Sequence, residues 1–212
     1  MGHFITFEGI EGSGKSTQAA RLAAYLESLD LEVVLTREPG GTSVGTQIRP
    51  ILLSAANEDL DPLAELFLYE ADRAQHTARV VAPALEAGSW VVCDRFMDAT
   101  TVYQGIVRGL SAELVENLNG LASGKIRPHL TFLVDCPVEV GLARARRREA
   151  GGDQDRFERE KREFHEAVRQ GYLSIAAAEP ERFAVMDGTL GVDELETAVR
   201  RRVDKLIVKR AG

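Results

Sequence analysis

The stretch Gly9-Ile10-Glu11-Gly12-Ser13-Gly14-Lys15-Ser16 fits the pattern Gly-x4-Gly-Lys-Ser/Thr at every position, and it limits what this chain can fold into more than any other feature. Its glycines let backbone N–H groups turn toward phosphate oxygens, the lysine reaches the β and γ phosphates, and the Ser16 hydroxyl can ligate Mg²⁺. Such a loop works only between a strand and a helix. Phe4-Ile5-Thr6-Phe7 reads as a buried strand ahead of it, and Ala19, Leu22, Ala23, Leu26 and Leu29 recur at helical spacing behind it. The helix then adds its N-terminal dipole to the same anion.

With 212 residues the chain can bury a core, and no Pro/Gly/Ser-rich linker or internal repeat divides it, so one domain over 1–212 is expected. A formal net charge of −7 argues against a protein that coats nucleic acid, although the cluster from Arg144 to Arg148 can still meet phosphates. No signal-peptide pattern opens the chain and no apolar run is long enough to span a bilayer, which predicts a cytoplasmic protein without a membrane partner. Cys93 and Cys136 lack a Cys-x-x-Cys spacing, and His3, His76, His129 and His165 show no paired ligand spacing. The cysteines therefore read as reduced packing residues.

Short apolar runs alternate with helical patterns along the whole chain. Leu31-Glu32-Val33-Val34-Leu35-Thr36 predicts a second strand, Trp90-Val91-Val92-Cys93 a third, Leu130-Thr131-Phe132-Leu133-Val134 a fourth and Phe183-Ala184-Val185-Met186 a fifth. Helices are expected at about 45–56, 62–87, 98–123 with a break near 105–111, 138–148, 157–178 and 192–209. Crossover connections of this kind imply an α/β fold: a five-stranded parallel sheet with helices on both faces. Ligands bind outside the C-terminal ends of such strands, where Asp94-Arg95, Asp135 and Asp187-Gly188-Thr189 fall. Asp94 has the placement of the acid that holds Mg²⁺ in phosphate-loop enzymes, although a helix cap would look the same. Arg95 offers a permanently charged planar fork for phosphate oxygens, with a surface ion pair as the alternative.

A guanine-reading Asn-Lys-x-Asp is absent, which counts against a regulatory GTPase, and a motor or transporter ATPase needs more chain. A small kinase fits the length. Phe7-Glu8-Gly9-Ile10-Glu11-Gly12-Ser13-Gly14-Lys15-Ser16-Thr17, Thr36-Arg37-Glu38-Pro39-Gly40-Gly41-Thr42, Ala71-Asp72-Arg73-Ala74-Gln75-His76, Asp94-Arg95-Phe96, Tyr103-Gln104-Gly105 and Asp155-Arg156-Phe157-Glu158 occur in that order. Together they resemble the thymidylate kinases from about residue 4 to 190. The resemblance implies transfer of the γ-phosphoryl group of ATP to dTMP with Mg²⁺, in a phosphate-loop kinase fold that forms homodimers.

By the same resemblance, ATP lies on Gly9 to Thr17, on Arg144, and against the loop Asp187, Gly188 and Thr189, while Ser16 and Asp94 hold the metal. The dTMP set is Glu11, Arg37, Glu38, Pro39, Arg49, Tyr69, Arg73, Arg95, Ala99, Thr100, Tyr103 and Gln104. Tyr69, usually a Phe in the family, keeps an aromatic face for thymine. Arg73, one helical turn on, matches the donor to thymine O4. Arg95 with Arg37 or Arg49 matches the phosphate holders, Glu11 the acid near the 3′-hydroxyl, and Tyr103 the ring that crowds C2′. Ala99 departs from the family's usual serine, which leaves Thr100 to face the base. The run Arg144-Ala145-Arg146-Arg147-Arg148, with Gly151-Gly152 and Arg156, resembles a lid over about 144–157. Gly12 and Ser13 carry no charge where some members have an arginine, so a lid arginine is expected over the γ-phosphate: Arg148 first, Arg144 or Arg156 as substitutes. The catalytic set is thus Lys15, Asp94, Arg95, Arg144, Arg148 and Arg156. Two rival readings stand beside this one: a related kinase with another acceptor, less favoured because the adenylate kinase segment Asp-Gly-Phe-Pro-Arg is absent, and a nucleotide-dependent binding module without turnover.

Overall fold

The computed structural model describes residues 2–148, 156–157 and 159–211. Its centre is a parallel sheet of β1 (Phe4–Glu8), β2 (Val33–Arg37), β3 (Trp90–Asp94), β4 (Leu130–Asp135) and β5 (Phe183–Asp187), in the order β2-β3-β1-β4-β5. Phe4 pairs with Val91 and Ile5 with Leu130, so the strand that feeds the phosphate loop lies in the middle. Every residue of β1 is buried, as a strand covered on both faces requires.

Helix α1 (Lys15–Glu27) and helix α9 (Val192–Ala211) cover one face. Their Leu22, Leu26, Leu195 and Val199 enclose Ile5, Phe7, Trp90 and Phe132 of the sheet. The other face packs α8 (Arg162–Ala178) through Val168 and Tyr172 against Leu133, Val102 and Tyr103. Helix α2 (Ser43–Leu53) starts at Thr42, whose side chain accepts from Gly45 N, and α3 (Pro62–His76) starts at Asp61, which accepts from Leu63 and Ala64 N. Pro62 sits at the position where a missing N–H costs nothing.

The single helix expected over 62–87 is instead α3, a π-helical turn Thr77–Val81 and α4 (Ala82–Glu86). Pro83 cannot donate and its ring crowds the carbonyl four residues back, and the widened turn just before it relieves that conflict. The region 98–123 becomes α5 (Met97–Thr100), a second π-helical turn Thr101–Val107 and α6 (Ala112–Ala122), with Gly109 at φ 76° in the expected break. Helix α7 (Val138–Arg148) has the predicted bounds. Helix α8 begins at Arg162 rather than near 157, because Phe157 is drawn into the core, edge-on to Tyr103 at 5.5 Å, and its carbonyl closes a turn with Glu160 N.

Candidate active site

Charged side chains gather where the C-terminal ends of β1, β2 and β3 meet the loop before α1. A cavity of about 610 Å³ opens there, lined by the charged Glu11, Lys15, Arg37, Asp94 and Arg95 with Ser16, and by Tyr69, Arg73, Ala99, Thr100, Tyr103 and Gln104. Pro39, Glu38, Arg49 and Phe157 also belong to the wall. One hollow thus joins the phosphate-binding loop to the whole of the predicted acceptor set. Phe157 is an addition, quoted in sequence only as part of a motif.

The loop itself is clamped from behind. Gly12 has φ 69°, and a Cβ there would meet the Gly141 carbonyl oxygen at 1.9 Å; one on Gly141 would meet the Glu11 carbonyl at 2.5 Å. Two glycines therefore let α7 lie directly on the loop, which carries Arg144 to the far side. There Arg144 Nη1 donates to the Gly188 carbonyl at 2.6 Å, and Gly188 N donates to the Asp135 carbonyl at 2.7 Å. Asp187 accepts from both N and Oγ1 of Thr189 at 2.8 and 2.6 Å, and those bonds hold its carboxyl below the usual range. The expected ATP contacts Arg144 and Asp187-Gly188-Thr189 are hence one connected unit.

Lys15 donates to the Ile10 carbonyl at 3.4 Å and lies 3.6 Å from Glu11. Ser16 and Thr17 are exposed at the first turn of α1, Ser13 is buried, and Gly9, Gly12 and Gly14 all take positive φ. Asp94 presents a buried Oδ1 with no hydrogen-bond partner among the described residues. A bare carboxylate oxygen beside an exposed serine hydroxyl suits a hard cation that keeps several waters. No cluster of three or more His, Cys, Asp or Glu side chains able to hold a metal occurs among the described residues.

Arg95 is held in the left-handed region at φ 70°. Its Nη1 donates to the Tyr172 hydroxyl at 3.0 Å, Nη2 reaches the Tyr103 hydroxyl at 3.3 Å and pairs with Glu11, and the guanidinium lies 5.2 Å from the centre of the Tyr103 ring. Behind it sits a residue to which sequence reasoning gave no role. Glu8, fully buried at the end of β1, accepts from the Tyr172 hydroxyl at 2.7 Å and from Phe96 N at 2.8 Å, with Arg95 at 3.9 Å. Burial pushes its carboxyl up to about 7, against the pull of Arg95. In sequence it is the acid that ends the run Phe4-Ile5-Thr6-Phe7 and stands within the phosphate-loop motif from Phe7 to Thr17.

Arg73 is 1% exposed and almost fully committed. It donates from Nε to Glu38 at 3.0 Å, from Nη1 to Glu70 at 2.8 Å and Asn119 at 2.7 Å, and from Nη2 to Thr100 Oγ1 at 2.9 Å. A guanidinium has five N–H groups, so these four bonds leave one Nη2 hydrogen without a partner among the described residues. Thr100, expected to face the base, lines the cavity and accepts from Arg73 there. Glu38 also meets His76 Nδ1 at 2.7 Å, whose Nε2 meets Thr36 Oγ1 at 2.7 Å. Asp72, pushed up to about 6 by burial, accepts from Gly40 N at 3.1 Å, and Arg49 donates to the Pro39 carbonyl at 2.8 Å. Arg37 remains exposed at the end of β2.

Arg156 departs from the expectation of a free lid cation. It is 5% exposed, its N donates to the Leu53 carbonyl at 3.0 Å and its Nε to the Leu52 carbonyl at 2.6 Å, and its Nη2 pairs with buried Glu65. The last carbonyls of α2 and a carboxylate hold it in the wall of the acceptor side, so the expectation of an arginine poised above the γ-phosphate does not fit its position. The side chain of Arg148 and the glycines Gly151 and Gly152, central to the expected lid, lie outside the described residues.

The family model described as thymidylate kinase matches residues 7–199. The chain belongs to the thymidylate kinase family. It is 56% identical to a thymidylate kinase of Geobacter sulfurreducens over 202 residues, covering 94% of this chain and 95% of the other, and 54% identical to one of Pelobacter propionicus over 206 residues, covering 96% and 94%. Among solved structures, a thymidylate kinase from Ehrlichia chaffeensis superposes with a TM-score of 0.76 at 34% identity, covering 95% of this chain and 98% of that one. The protein is thus a phosphotransferase with the phosphate-loop kinase fold that the sequence implied.

Proposed function

We infer that the enzyme transfers the γ-phosphoryl group of ATP to dTMP, giving dTDP and ADP. The observation that carries this reading is that one hollow is lined both by Lys15 of the phosphate loop and by Tyr69, Arg73 and Gln104. ATP lies along Gly9 to Thr17 with its base toward Asp187-Gly188-Thr189, and Lys15 meets the β and γ oxygens as charge develops on them. Arg95, held by Tyr172, Tyr103 and Glu11, grips the acceptor phosphate, and Glu11 lies within reach of the deoxyribose 3′-hydroxyl. Tyr69 offers its ring to the base, and burial raises the affinity of its hydroxyl for the proton, so it stays a neutral stacking surface. Arg73 gives its one open hydrogen to O4. Tyr103 crowds the sugar edge, where a ribose hydroxyl would need room.

Mg²⁺ would be held by Ser16 and Asp94, and it supplies charge neutralisation on the transferring phosphoryl group. An arginine of α7, Arg148 before Arg144, closes over the same group. Residues 1–212 act as one kinase domain, with about 144–157 as its lid and Arg156 and Phe157 anchoring the far end of that segment in the cavity wall. Leu63 and Phe67 on α3 and Leu121 on α6, respectively 39%, 52% and 78% exposed, support a homodimer built on that helical face. The buried, unpaired Cys93 and Cys136 support a cytoplasmic setting, and the net charge of −7 speaks against a nucleic-acid partner. ADP production with Mg·ATP across a panel of monophosphates tests the assignment. A higher kcat/KM for AMP, CMP or UMP than for dTMP refutes it.

A further inference from the structure

Glu65 stands in the first turn of α3, 1% exposed, and touches no substrate-facing surface of its own. Its two oxygens do different things. Oε1 accepts from Gln104 Nε2 at 2.6 Å and lies 3.8 Å from Arg108 Nε, while Oε2 is taken by Arg156. A carboxylate can only accept. Whatever orientation the Gln104 amide would choose alone, its NH₂ must therefore turn toward Glu65, and its carbonyl oxygen must turn away. Gln104 is 1% exposed, lies in the π-helical turn Thr101–Val107 and lines the cavity, so that oxygen faces the acceptor space.

Resting on the reading that places the base between Tyr69 and Gln104, this fixes the hydrogen-bonding sense of the wall. Gln104 presents an acceptor, and Arg73, itself held by Glu38 and Glu70, presents a donor. The N3–H and O4 of thymine match that pair. Cytosine, with a lone pair at N3 and an amino group at C4, opposes both. We propose that Glu65 is a positioning residue that locks the Gln104 amide in the sense that reads thymine and refuses cytosine.

The substitution Glu65→Gln separates this role from simple support. Arg156 is cationic and claims the carbonyl oxygen of the new amide, which leaves an NH₂ facing Gln104. Gln104 then satisfies it by turning its own oxygen back, and an NH₂ enters the acceptor space, suited to the N3 lone pair of cytosine. With saturating Mg·ATP, the ratio of kcat/KM for dTMP over dCMP should fall by about tenfold or more, the scale of one reversed hydrogen bond in a dry site. The dTMP over dUMP ratio should stay at the wild-type value, because those bases share the same N3–H and O4 edge. Equal losses with all three acceptors would overturn the proposal.

Should Glu65→Gln fold poorly, Glu65→Met combined with Arg156→Met removes both buried charges together and must lower the same dTMP over dCMP ratio. An unchanged ratio there also overturns the proposal. Gln104→Met must relax the ratio as well, with KM for ATP unchanged, and adding Glu65→Gln to it must relax it no further, since the two residues act through one amide. A wild-type enzyme that does not distinguish dTMP from dCMP would refute the base placement itself. A wild-type preference that survives Glu65→Gln refutes only the role of Glu65.

Discussion

Replacing Glu8 by glutamine tests whether the carboxylate under the acceptor arginine is held as an acid. Its side chain is sealed in the sheet, and burial lifts it from an ordinary 4.5 to about 7 despite Arg95 nearby. At about 1.4 kcal/mol for each pH unit, that difference is worth about 3 kcal/mol. The native state keeps the Glu8 proton between pH 4.5 and 7 while the unfolded chain has released it, so the native state binds more protons there. Stability from this group is therefore complete below 4.5 and declines as pH rises to about 7. Glutamine cannot titrate. The stability of wild type minus that of Glu8→Gln should fall by about 3 kcal/mol between pH 4.5 and 8, or about 6 to 12 °C in Tm for a domain of this size. Urea unfolding of both proteins at half-unit pH intervals gives the difference directly, and it cancels Asp72, which titrates near 6 in both. A difference that is flat, or that rises with pH, would refute the reasoning.

Lys15→Ala should lower kcat at least about a hundredfold, roughly 3 kcal/mol of transition-state stabilisation, with an unchanged thermal melt; retention of more than a tenth of the activity would count against it. Arg148→Ala should lower kcat and kcat/KM together by about a hundredfold while calorimetric dTMP binding holds steady, as for a contact made only in the transition state. Arg156→Ala should behave differently, costing about 3 to 5 kcal/mol of stability by stranding buried Glu65, and a variant as stable as wild type would contradict that pairing. Phe67→Glu, placing a charge on the exposed face of α3, should convert a dimer to monomer in sedimentation at micromolar protein; a dimer that persists would place the interface elsewhere.

Features set by short-range pattern were readable in the chain. The phosphate loop is eight contiguous residues, the strands are short β-branched runs, and the acids that end β3 and β5 fall where a parallel sheet binds ligands. What escaped was set by distance in sequence. Glu65 meets Arg156 and Gln104, Glu8 meets Tyr172, and Asp98 is gripped by both Nη atoms of Arg182 at 2.7 and 2.8 Å. No local pattern announces such partners. The Arg156 reading failed for that reason: in sequence it stood beside glycines and an arginine run, and its carboxylate lay 91 residues upstream. The π-helical turns were hidden too, since Pro83 signals only that a helix is disturbed, and the chain answered by widening a turn instead of stopping.

The position of β1 in the middle of the sheet has a consequence for how the chain is made. It is made before the other four strands of this sheet, yet its neighbours are β3 and β4, and the Phe4 to Val91 pairing spans 87 residues. At about 5 to 20 residues per second, the wait for that partner is about 4 to 17 seconds. Throughout that time an apolar segment with no hydrogen-bonding neighbour on either edge is exposed to other nascent chains. The second half of the molecule supplies β4 beside that strand and Gly141 against the loop, so early truncation products carry the whole phosphate-binding sequence without these two supports.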